Sequence, residues 1–148
     1  MKKDFVMRGQ TSTGNTETLN FSGFKPGMAY RMTEFSLFPS TGIGTKNLEL
    51  TGSVTAGKTA IVPTDPNFDD EGLIATAYLQ DNGSTAVPMS TITIVNDTFL
   101  ITQNLILMVQ DAAGGTDPIN WQCRFESVKM TGPEEAVANY KTYTILDE

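Results

Sequence analysis

Residues 47–66 read NLELTGSVTAGKTAIVPTDP, and two incompatible folds compete for them. Gly52, Gly57, Lys58 and Thr59 complete the pattern G-x-x-x-x-G-K-[ST] of a phosphate-binding loop. Such a loop aims backbone N–H groups and the N-terminus of a following helix at the phosphates. The preceding strand is present, because Leu48, Leu50 and Val54 alternate with polar neighbours as in a strand with one wet face. The following helix is not. Ala60-Ile61-Val62 favours extended backbone, and Pro63 and Pro66 prevent a helix of useful length. The stretch therefore reads as a half-buried strand entering a turn at Gly57 that presents Lys58 and Thr59 to solvent, and the four residues as a false match.

The same choice recurs along the chain. Thr occurs 21 times and gathers with Val, Ile, Phe and Tyr in short runs broken by Gly, Pro, Asn and Asp, as strands separated by turns require. DFVMRG (4–9) and ETLNFSG (17–23) give two short strands. In MAYRMTEFSLF (28–38) Met28, Tyr30 and Met32 share one face while Phe35 and Leu37 fall on the other parity, which predicts a β-bulge near Thr33. GLIATAYLQD (72–81) and STITIVND (90–97) follow. TFLIT (98–102) and NLILMVQD (104–111) read as core strands, the second buried on both faces. INWQCRFESV (119–128) turns Ile119, Trp121, Cys123 and Phe125 inward and Gln122, Arg124 and Glu126 outward. Pro133, Glu134 and Glu135 open one short helix, and KTYTIL (141–146) closes the chain as a strand. A parallel α/β sheet needs crossover helices that cannot be placed here. The expected architecture is an all-β antiparallel sandwich, jelly-roll-like, over residues 15–148, with residues 1–14 as an N-terminal arm.

Composition narrows function. The net charge is −7, with 7 basic and 8 acidic residues in 1–74 against 3 and 9 in 75–148; no basic run offsets it, which argues against nucleic acid and anionic membrane as partners. His is absent, removing the commonest general base, metal ligand and partner of a nucleophilic Ser or Cys. The single cysteine, Cys123, leaves no internal disulfide and reads as a buried, inert thiol. MKKDFVMRGQTST lacks the apolar core of a signal peptide, and no apolar run reaches a bilayer span. A soluble protein without cofactor is expected.

The acidic stretch DPNFDDEG (65–72) begins with the one-three-five spacing of a calcium loop at Asp65, Asn67 and Asp69. Asp70 then stands where such a loop needs Gly, and Thr76 where it needs Glu. Asp65, Asp69, Asp70 and Glu71 remain weak candidates for a hard cation, against the plainer reading of a Pro-stiffened surface loop. Tyr30, Tyr78 and Trp121 are candidates for stacking on a sugar, though packing explains aromatic residues as well. Asn82 and Asn96 head sequons at turns; without a secretory signal they are expected to be unmodified.

GMAYRMTEFSLFPS (27–40), PTDPNFDDEGLIATAYL (63–79), VNDTFLITQNLILMVQD (95–111) and EEAVANYKTYTILDE (134–148) together resemble a group of small proteins encoded by marine tailed bacteriophages. The resemblance spans nearly the whole chain and includes no catalytic motif. It implies a structural, non-enzymatic protein of the virion, made in the host bacterial cytoplasm. From its surface chemistry the expected place is the capsid, as a decoration or cement protein on the outer face of the major capsid protein, a homo-oligomer with a trimer favoured. The alternative is a tail, neck or fibre component or a receptor- or glycan-binding module, using the Asp65–Gly72 and Asp81–Pro88 loops.

Overall fold

Among the described residues, alternating apolar and polar side chains build eight antiparallel strands in two facing sheets. The structure, a computed structural model, describes residues 3–21, 27–57, 59–83 and 90–130. The helix expected from Pro133, the strand KTYTIL and Lys58 lie outside the described residues. The strands are β1 (Asp4–Thr11), β2 (Thr16–Leu19), β3 (Met28–Pro39), β4 (Asn47–Thr55), β5 (Leu73–Asn82), β6 (Ser90–Val95), β7 (Leu105–Asp111) and β8 (Ile119–Lys129). One sheet has the order β1-β8-β3, the other β2-β7-β4-β5-β6.

This is jelly-roll connectivity with one departure. A jelly roll is a long antiparallel hairpin wound into two sheets, so its first strand meets its last, its second the seventh, its third the sixth and its fourth the fifth. Here β1 pairs with β8, β2 with β7 and β4 with β5. The third and sixth positions differ, because β6 stays beside β5. After β6 the Asn96 side-chain oxygen accepts the N–H and hydroxyl of Thr98, and the chain turns to the other sheet. There Ile101 and Tyr30 of β3 exchange N–H···O bonds of 3.0 and 2.6 Å as an isolated bridge. TFLIT, expected as a core strand, thus supplies one bridge and one fully buried side chain, Ile101, because the Asn96 turn uses up its first residues.

β8 is the spine of the smaller sheet. Ile119, Trp121, Cys123 and Phe125 point inward, as their alternation requires. Against it, β3 changes parity where expected: the register shifts between Met32 and Glu34, leaving Thr33 as the extra residue. Met32, Phe35 and Leu37 all reach the core as a result. They meet Leu50, Val54, Leu79, Leu107 and Val109 of the larger sheet.

Three further expectations need correction. Residues 4–11 are not an arm: β1 pairs with β8 from Asp4↔Glu126 to Thr11↔Ile119. Its polarity is confined to one face, while Phe5 and Met7 pack on the core and Thr11 is buried. NLILMVQD is not buried on both faces, since Ile106, Met108 and Gln110 of β7 are only half-buried. Conversely β4 has no wet face over much of its length, because Thr51, Ser53 and Thr55 are buried. The chain between β4 and β5 folds back over them: Ser53 donates its hydroxyl to Ile61 O, and Thr55 Oγ1 accepts the Ile61 N–H. Hydroxyls satisfied in this way tolerate burial, so polarity alone did not reveal which strand was covered.

Candidate functional site

Among the described phosphate-loop residues, Gly52 does not share a loop with Gly57 and Thr59. Gly52 lies inside β4, opposite Ala77 of β5 and Val109 of β7, so its backbone belongs to a sheet with neighbours on both sides. Phe35 and Leu37 press on it from the facing sheet; a methyl group at Gly52 would lie 2.9 Å from Phe35 Cζ and 3.0 Å from Leu37 Cδ2. Gly52 is thus required by the approach of the two sheets. Gly57 is half-buried beyond the strand end and Thr59 is exposed.

The acidic loop is built from local turns. Asn67 Oδ1 accepts the Asp69 N–H, and Asp70 Oδ1 accepts the Gly72 N–H; Asp65, Asp69 and Glu71 face solvent. Among the described residues no three Asp, Glu or Cys side chains gather to hold a metal ion. The buried acids lie elsewhere. Asp81 accepts the N–H groups of Gly44 and Gly83, and Asp111 those of Glu49 and Ala113. Asp111 ends β7 and Asp81 stands one residue before the end of β5, each two or three residues before a Gly, the setting in which a carboxylate closes a turn.

The remaining candidates disperse. Cys123 is fully buried, and burial pushes its thiol up to about 12. Trp121 lies in the core and donates its Nε1–H to Thr11 Oγ1 at 2.9 Å, so its ring is not free to stack on a sugar. Tyr30 packs with Phe5 and Phe21. Tyr78 is half-buried on the outer face of the larger sheet with its hydroxyl 3.4 Å from Glu49 Oε1; burial and then the Glu49 charge raise its pKa. Asn82 closes β5, and Asn96 is engaged with Thr98.

What the fold does assemble is a surface along β6, the last strand of its sheet among the described residues. Ile92 and Ile94 stand opposite Tyr78 and Thr76 of β5 and are 62% and 49% exposed. Phe68, 61% exposed, approaches the Ile94 end of this row from the β4–β5 loop. Phe68, Leu73, Thr76, Ile94 and Asn96 line a cleft of about 240 Å³ between loop and strand. From the sequence STITIV was legible as a strand; its place at an edge depends on which strand β5 pairs with next, and the reach of Phe68 on how the loop folds back. The chain matches no protein-family model, and comparison with curated proteins and with solved structures gives no match.

Proposed function

We propose that this chain is a structural component of a tailed-phage virion that works by surface contact, as a decoration protein on the outside of the major capsid protein shell. The observation that carries the assembly part of the reading is the β6 surface, an apolar row beside a sheet edge that no other described strand pairs with. Exposed sheet edges and contiguous apolar patches are where proteins join other chains. The dispersal of the candidate catalytic and ligating groups among the described residues supports a non-enzymatic role; the capsid as the location rests on the resemblance.

Counting copies on purified virions tests it. Hundreds of copies per particle, released together with a loss of capsid resistance to heat, are the expected result. Six or twelve copies would move the protein to the tail or neck, and none would end the virion proposal.

A further inference from the structure

The β6 edge differs from the other sheet edges. β1 carries Asp4 and Arg8, β2 carries Glu17, and β3 carries Arg31, Glu34 and Pro39. Charges and prolines at such places oppose pairing with another chain. Ser90–Val95, STITIV, has neither and is rich in β-branched residues. In a chain of net charge −7, it is a stretch that itself sets no charge against a second copy, the exposed Asp69 beside Phe68 and Asp97 beyond Asn96 lying outside it.

The direction of the backbone groups fixes how a copy would fit. Asn96 donates its N–H to Ile74 O of β5. Residues of the same parity, Ile94 and Ile92, therefore aim their N–H and C=O at β5, and Thr91, Thr93 and Val95 aim theirs away from it. An antiparallel copy centred on Thr93 satisfies all three: Thr93 exchanges both bonds with its own counterpart, and Thr91 does so with Val95. In that register Ile92 of one protomer lies beside Ile94 of its partner on the outer face, with Phe68 flanking at each end. The strand is self-complementary in hydrogen bonds and in side chains, as a two-fold interface demands.

We infer that β6 pairs with β6 of a second copy across a two-fold axis at Thr93, joining two five-stranded sheets into one. This deepens the assembly reading by naming its first partner, and it replaces the expected trimer with a two-fold contact. An edge of six residues per protomer is small among specific interfaces, so the dimer forms reversibly and is favoured where copies are crowded on a surface.

The test uses the full-length chain and charge swapping at the axis. Sedimentation from about 1 µM to about 1 mM should give a monomer–dimer equilibrium. Thr93→Lys and Thr93→Glu, each placing like charges directly opposite one another, should each raise the dissociation constant about tenfold or more. An equimolar mixture of the two should recover the dimer, which requires residue 93 to face residue 93. Thr93→Pro, which removes an N–H directed away from β5, should weaken the dimer without lowering the melting temperature of the monomer. A wild type that is monomeric throughout or trimeric overturns the inference, as does a mixture that stays monomeric. So do β6 amides already protected from exchange in dilute monomer, since the chain itself would then cover the edge. None of these results alters copy number on virions, so the two proposals fail separately.

Discussion

Replacing Gly52 by Ala asks which of its two readings governs the residue. An added methyl group would sit 2.9 Å from Phe35 Cζ and 3.0 Å from Leu37 Cδ2, about half an ångström inside ordinary carbon contact. Phe35 is 2% exposed and has little room to withdraw. Overpacking of this kind costs about 1–3 kcal/mol, offset by about 0.5–1 kcal/mol because Ala loses less backbone freedom than Gly. The central values leave a net loss of about 1.2 kcal/mol, or a fall of roughly 2–5 °C in melting temperature for a chain of this size. Calorimetry on Gly52→Ala, Phe35→Leu and the double variant checks the cause. The double variant should lose less than the sum, because the smaller side chain vacates the space the methyl needs. Additive losses, or a Gly52→Ala protein as stable as wild type, would refute the packing argument. Magnesium-ATP should leave the melting temperature unchanged in wild type; a clear rise would restore the phosphate-loop reading.

Three further outcomes follow from the described geometry. Cys123, with its thiol pushed up to about 12, should resist alkylation at pH 8 in the folded protein and react in denaturant; fast native labelling would contradict its burial. Because the folded state holds that proton while an unfolded thiol releases it near pH 8.5, this contribution to stability is complete below about pH 8.5. Above it, up to about pH 12, stability falls by at most ~1.4 kcal/mol per pH unit, a slope that Cys123→Ala should reduce in alkaline denaturant titrations. Thr11→Val keeps the shape of the side chain but leaves the buried Trp121 Nε1–H without its acceptor, so urea unfolding should show a loss of about 1–3 kcal/mol. Calcium at millimolar concentration should not shift melting, since Asp65, Asp69 and Glu71 point to solvent; a rise abolished by Asp69→Asn with Asp70→Asn would establish a cation site.

Strand content was readable because burial in a sandwich imposes a period of two. The Thr33 bulge was readable for the same reason, as a break of parity between Met32 and Phe35. Coverage was not: Ser53 and Ile106 differ in polarity in the opposite sense to their burial, because a loop satisfies the Ser53 hydroxyl while the outer face of β7 is partly open. The arm was misjudged because DFVMRGQT carries its charged residues and Gln10 on one face and turns Phe5 and Met7 to the other, which average hydrophilicity conceals. The β6 surface was legible as sequence but not as a site, since an edge is a property of pairing order.

The pairing of β1 with β8 gives the protein an unusual order of assembly during synthesis. Thr11 and Trp121 are 110 residues apart, so β1 waits for the much later β8 before it gains its sheet neighbour. At about 5–20 residues per second that wait is roughly 5–20 s, far longer than a hairpin such as β4–β5 needs to close. Asp4, Arg8 and Gln10 on its outward face give the nascent strand its solubility in the interval. Quenching or shifting of Trp121 fluorescence as it closes on Thr11 marks the end of the process.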